Sequence, residues 1–282
     1  MSTSTTYGGY TAKAADLDLI MKFERDVAAL QRLLGASDLQ VLAPGTNLHT
    51  YTNTCTLQDG AADPGASITL STYSTSAATK ELTFKKWRKA IPIESIAKQG
   101  YEGAVVATDT QLLRDVQKAV RGTIVSGIAT GSGSATGATF QAALAAAWAA
   151  LEEAFEDEAC TPVYFCNYDA MAGYLGAASI TVQSEAGVNY IENFFGIPGK
   201  IILDSNVADN YIYATAAENI VIAAADVSGI QGMDLTMDES GIIAVHHDPS
   251  YATAALETVV YTGLCVFPMF ASRVIKSVID PS

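Results

Sequence analysis

The chain has 282 residues, of which 49% are hydrophobic and only 16% charged, with a formal net charge of −14. That length supports one large domain or two joined lobes with a sizeable core. So few charges imply that something other than water covers much of the surface. The acidic balance excludes a protein that grips a nucleic-acid backbone, because that affinity comes from Lys and Arg neutralising phosphates, although lying beside DNA without holding it stays compatible.

A bilayer does not supply the cover. The longest apolar run, residues 140–151, is mostly alanine and contains Gln141, well short of the roughly 20 residues that cross a membrane. Residues 1–10 are rich in Ser, Thr and Gly, with no basic start and no apolar stretch, so no ordinary secretory signal is expected and the chain should stay in the cytosol. Cys55, Cys160, Cys166 and Cys265 are scattered without a CxxC pair and are expected to be reduced packing residues.

In chain order, residues 1–15 are small and polar and read as a flexible arm. Asp16 can then cap a helix to about Leu34, with Leu19, Phe23, Val27, Leu30 and Leu34 at helical spacing and Gly35 as the stop. Its apolar stripe needs a partner, on its own body or on a neighbour. From residue 39 the pattern turns β-favouring: Thr46, Thr50, Tyr51, Thr52, Thr54 and Thr56 lead to Asp59-Gly60 and Asp63-Pro64-Gly65, and a second run returns from Ser67 to Phe84. These arms hold few large aliphatics and an isolated hairpin is marginal in water, so the pattern predicts a long hairpin that projects and finds its support on another subunit.

Six of the 16 basic residues follow closely: Lys80, Lys85, Lys86, Arg88, Lys89 and Lys98. Their densest complement is Glu152, Glu153, Glu156, Asp157 and Glu158. Either both runs are solvated faces, or they meet between subunits and set register; screening would keep each pair weak. Next, Thr108 or Asp109 can open a long helix through Leu112, Leu113, Val116, Val120, Ile124 and Ile128. The Gly/Ser stretch 131–137 reads as a flexible loop, since it lacks the lysine of a phosphate-binding loop. Thr139 begins a second helix to about Phe155, with Leu144, Trp148, Leu151 and Phe155 on one side. Strands at 162–167, 200–203, 210–214 and 220–225, with a helical turn at 169–175, suggest a mixed α/β lobe. The last third reads as antiparallel strands at 232–237, 242–246, 255–267 and 269–279, punctuated at 238–241 and at Asp248-Pro249.

No catalytic constellation emerges. His246, His247 and Asp248 are adjacent in a strand, where neighbours point to opposite faces and share a metal poorly. There is no GxSxG elbow and no HExxH. Glu152 and Glu153 diverge on a helix, and Asp169, Asp204 and Asp209 border strands where turns need Asp. No catalytic residue, cofactor or metal is expected.

Taken in succession, the arm, the hairpin ending in Phe84-Lys-Lys-Trp-Arg-Lys-Ala-Ile-Pro-Ile-Glu-Ser-Ile, Ala107-Thr-Asp-Thr-Gln-Leu-Leu-Arg with its helix, and the closing runs 256–267 and 270–279 carry a likeness. Over about residues 39–279 this order resembles the HK97-like major capsid protein of tailed bacteriophages. The resemblance implies an α+β capsid fold: an N-terminal arm at 1–45, an extended hairpin or E-loop at 46–92, a peripheral domain with a long spine helix at 93–137, an axial domain at 138–225, and peripheral return strands at 226–282. It further implies a structural subunit and not an enzyme, made in the host cytoplasm and assembled as pentamers and hexamers into an icosahedral virion shell around double-stranded DNA. Lys80, Lys85, Lys86, Arg88 and Lys89 would then face Glu152, Glu153 and Glu156 of a neighbour. Only about 45 residues precede the hairpin, where some family members carry a long scaffolding segment, so a separate scaffold protein, or none, is expected; portal and decoration proteins are the remaining partners. A covalent lysine–asparagine cross-link is not expected. The alternatives are an encapsulin, which has the same fold around an enzyme cargo, and an α/β hydrolase without familiar motifs.

Overall fold

The computed structural model describes residues 16, 19–24, 27–28, 30–35, 39–58, 60, 65, 67–156, 158–175, 181–185, 188–228, 235–237 and 242–280. The expected arm at 1–15, the turn residues Asp59, Asp63 and Pro64, the acidic Asp157, the start of the strand at 232–237 and the turn at 238–241 lie outside the described residues.

The first helix, α1, covers described residues between 16 and 34. Leu19, Phe23, Val27, Leu30 and Leu34 are buried in one cluster with Val116, Val120 and Ile124, so the stripe seats on its own chain. Gly35 ends the helix at φ 62°, the left-handed position that glycine adopts without penalty. Strands β1 (Gln40–Leu42), β2 (Asn47–Thr56), β3 (Thr72–Glu81) and β4 (Lys85–Pro92) follow, then α2 (Ile93–Tyr101), a π turn at Glu102–Val106 and α3 (Ala107–Ile128). The long helix does not open at Thr108 or Asp109. The backbone is already helical from Ile93, kinked at Gly100 and widened through the π turn. Thr108 therefore sits within the helix, its Oγ1 donating to the Ala104 carbonyl at 2.7 Å, and Asp109 is buried instead of capping.

The residues read as a flexible loop form strand β5 (Gly133–Gly137), which pairs in parallel with β16 (Ile275–Ile279). The glycines serve close approach: a Cβ on Gly137 would lie 2.2 Å from the Ala143 nitrogen of the next helix, α4 (Phe140–Ala154). Thr139 starts α4 as expected, its Oγ1 accepting from the Ala142 N–H at 3.2 Å. Leu144, Leu151 and Phe155 are buried, while Trp148 stays partly exposed. The middle of the chain adds β6 (Pro162–Cys166), α5 (Tyr168–Leu175), β7 (Gln183–Glu185), β8 (Val188–Glu192), β9 (Lys200–Leu203), β10 (Tyr211–Ala216) and β11 (Ile220–Ala225). The end of the chain adds β12 (Thr236–Met237), β13 (Ile243–Ser250), β14 (Ala255–Thr262) and β15 (Cys265–Pro268).

Seven strands in the order β5-β16-β10-β6-β9-β8-β7 make the largest sheet. Alternation along each strand divides its faces. Tyr164, Cys166, Ile201 and Ile212 meet Leu144, Ala147 and Leu151 of α4, whereas Val163, Phe165, Ile202 and Tyr213 meet α1 and α3. A second sheet, β12-β13-β14-β4, lays Ile243, Val245, Val260 and Trp87 into that same α3 cluster. A third, β1-β11-β15, closes the body.

Three readings near the C-terminus need correction. The run 269–279 is not one strand: a 3-10 turn at Ala271–Arg273 interrupts it, and only β16 is extended in the sheet. Asp248-Pro249 is no turn: β13 runs through it, with Pro249 opposite Leu256 of β14. Among the described residues β12 pairs only with Ala244 and Val245, so Pro249 lies beyond the described part of that edge, where proline is best tolerated in a sheet. The run 255–267 is two strands in two sheets, because the chain crosses at Gly263, where a Cβ would lie 2.3 Å from the Ala225 Cβ.

Candidate assembly interface

The hairpin β2–β3 pairs ten residues with ten, from Asn47 opposite Glu81 to Thr56 opposite Thr72. At about 3.3 Å per residue its arms are about 33 Å long. Every residue of β3 is exposed, and in β2 only Leu48 is buried. Threonine and serine favour the extended conformation without supplying a core, so the ladder forms but no layer covers it. Leu57, Ile68 and Leu70 beyond the paired strands, and Tyr73 within β3, are 70–87% exposed. Cys55 is exposed on the same limb, so it is not a packing residue within its own subunit.

The root of the limb is fixed. Leu48 and Leu82 are buried against Ala223, Ala225, Cys265 and Phe267. The Tyr51 N–H donates to the Met269 carbonyl at 2.7 Å, and its ring lies 6.2 Å from that of Phe270. Arg273 braces this corner: it stacks 4.6 Å from the Phe155 ring and 5.0 Å from that of Phe270, and donates to both oxygens of Glu158 at 2.6 Å. The guanidinium holds the Glu158 carboxyl below its usual range. The hairpin thus leaves the body in a set direction while its far half stays exposed.

Among the described residues the two charged runs do not meet within the chain. Alternation on β4 splits the basic one. Lys85 and Lys89 face α3, with Lys85 Nζ donating to Thr123 Oγ1 at 2.6 Å and Lys89 Nζ 2.5 Å from Asp109 Oδ1. On the opposite face Arg88 pairs with Glu257 at 2.5 Å and lowers that carboxyl's pKa. In the acidic run, Glu152 Oε1 accepts from Trp148 Nε1 at 2.9 Å. Lys80, Lys86, Glu153 and Glu156 are exposed and make no ion pair among the described residues.

No family model and no curated protein sequence matches the chain. Solved structures do, over almost the whole length. The capsid of an empty GTA particle superposes at TM-score 0.58 with 12% identity, covering 90% of each chain. The capsid of cyanophage A-1(L) superposes at 0.53 with 12% identity, covering 90% of this chain and 92% of its own. The chain has the HK97-like capsid fold. The SrpI encapsulin of Synechococcus elongatus shares that fold at TM-score 0.53 and 11% identity, covering 89% of this chain and 87% of its own. Within the HK97-like fold, the seven-stranded sheet draws on β5 and β16 from either side of the 138–225 segment, and β4, at 85–92, belongs to the sheet on α3.

Sequence reasoning missed one feature of this body: the Lys89–Asp109 pair continues to His247 and Asp16. These residues stand as far apart as 231 positions, so no local motif announces them. The one available signal was Asp109 on the apolar side of its helix.

Proposed function

We propose that the chain is a major capsid protein, a structural subunit and not an enzyme, whose copies assemble as pentamers and hexamers into an icosahedral shell around double-stranded DNA. The observation that carries this reading is the exposed hairpin on an HK97-like fold. Its ladder is rooted at one end and bare at the other, and its apolar tip gains about 1.5–3 kcal/mol per large side chain on burial. A second copy of the chain is the surface that offers such burial repeatedly and closes on itself. The net charge of −14 keeps packaged DNA from adhering to the wall. Portal, scaffold and decoration proteins would complete the virion, and assembly would take place in the host cytoplasm.

Thiol labelling tests the limb. In dissociated subunits one cysteine per chain, Cys55, should react with a maleimide, and in assembled particles it should be protected. Cys166 and Cys265 are buried. Cys160 resists because burial, with Glu152 and Glu218 nearby, pushes its thiol up to about 12. Equal reactivity of Cys55 in both states would remove the hairpin from the interface.

The charged runs enter this reading in narrower form. Among the described residues Lys80 and Lys86, together with Lys98, are the exposed members of the basic run without an ion pair; Lys80 and Lys86 are the two offered to a neighbour, with Glu153 and Glu156 as their complement. Reversing Lys80 and Lys86 to Glu should slow assembly without changing the melting temperature of the subunit. Lys89→Glu should instead lower that temperature, because it leaves Asp109 facing a like charge in a largely buried pair. Nuclease-protected nucleic acid inside purified particles separates a virion from the encapsulin reading, which the superposition on SrpI keeps in view.

A further inference from the structure

At the far end of α3 from the hairpin root, a charged group is enclosed on all sides. The His247 side chain on β13 has no solvent exposure. Its Nδ1 meets Oδ1 of Asp16 in a very short contact, and its Nε2 lies 3.1 and 3.2 Å from the two oxygens of Asp109 on α3. Both ring nitrogens face carboxylates, and only an imidazolium can donate from both. Lys89 on β4 closes the row, 2.5 Å from Asp109 Oδ1 and 2.8 Å from Thr108 Oγ1. Two carboxylates, one imidazolium and one ammonium sum to zero, which makes the burial tolerable. Among the described residues the other polar neighbours are Thr236 on β12, whose Oγ1 donates to Asp16 Oδ2 at 3.2 Å, and the Tyr101 phenol on α2. Thr258 on β14 stands opposite both His247 and Lys89.

We propose that Asp16, His247 and Asp109 form a proton-dependent latch that pins the Asp16 end of α1 to α3 and β13 while the imidazole is charged, and loosens that end in an otherwise folded subunit when that proton is lost. The asymmetry lies in what each carboxylate keeps. A neutral imidazole can donate to one carboxylate only. Among the described residues Asp109 retains Lys89, whereas Asp16 is left with the Thr236 hydroxyl in a buried site. Asp16 is the first described residue of α1, so the cheapest relief is to lift that part of the helix into water and leave the sheets in place.

The direction with pH follows. Burial alone would lower the His247 pKa, but the bonds to Asp109 and Asp16 outweigh it and raise it from 6.5 to about 9. The latch is therefore complete below the ordinary histidine value and lost as pH rises through about 9. Burial also lowers the Lys89 pKa, which removes positive charge in the same direction. At the acid end burial acts against Asp109, but bonds to His247 and Lys89 hold its carboxyl below the ordinary value, so the Asp109 side of the latch persists through mildly acid solution.

Hydrogen exchange read by mass spectrometry on the full chain tests this, in lone subunits or particles alike, so it stands apart from the shell reading. After correction for intrinsic exchange, the Asp16 end of α1 should lose at least tenfold in protection between pH 7 and pH 10, while α3 keeps its own. In Asp16→Asn, where no carboxylate is stranded, that step should disappear. Constant protection of that end up to pH 10, simultaneous loss in α3, or an undiminished step in Asp16→Asn would each overturn the latch, and the profile of the unmodified chain decides the matter alone if the variant does not fold.

Discussion

Replacing residues 49–79 by an Asn-Gly turn should leave a folded subunit that forms no particles. Leu48 and Lys80 are directly paired, so a two-residue turn can close the ladder there. The buried root, Leu48 and Leu82, survives the cut. What is lost is the bare part of the limb and its Tyr51 contacts, which bury little within the subunit. Circular dichroism should show a melting transition within a few degrees of the parent, and sedimentation should show only small species. A gentler version places Asp at Leu57 and Leu70. If each side chain gains about 1.5–3 kcal/mol on a neighbour, and 1.4 kcal/mol is tenfold, the concentration needed for assembly should rise by at least about a hundredfold. Particles forming at the parental threshold after either change would place the driving contacts elsewhere.

Gly137→Ala should destabilise the subunit by about 1–3 kcal/mol, the range for forcing an extra group into a packed site. A Cβ there would meet the backbone of α4 at Ala142 and Ala143 within 2.6 Å, and neither β5 nor α4 can shift alone. β5 is tied to β16 by its ladder, and the Ser277 hydroxyl on β16 donates to the Ala143 carbonyl at 2.8 Å. The sign is what discriminates. A glycine in a free loop would gain about 0.4–1 kcal/mol on the same substitution, through the unfolded chain. Chemical denaturation of the two proteins measures the difference directly, and a neutral or stabilising result would return 131–137 to the status of a loop.

That segment also marks the limit of what the amino-acid sequence discloses. Local patterns were legible where one element decides its own form. The threonines of β2 and β3 announce a ladder without a core, Leu113 to Ile128 announce α3, and Thr139 announces the start of α4. What escaped depends on a distant partner. Glycines 131–137 mean flexibility or close approach, and only the position of α4 distinguishes them. Asp109 looked like a cap because Ile93–Val106 gave no periodic signal of a helix continuing through a kink and a π turn. His247 looked idle beside His246, since both of its partners come from other parts of the chain. In the charged runs, residue type alone could not tell Lys89, committed to Asp109, from Lys86, which points outward on the same strand.

Electron microscopy of the full chain, purified after overexpression, tests the central claim most directly. An HK97-like subunit whose hairpin needs a sister copy should give closed, roughly spherical shells of uniform diameter. Discrete subunits that stay small and stable at every concentration, with the hairpin bare and the protein fully folded, would contradict it.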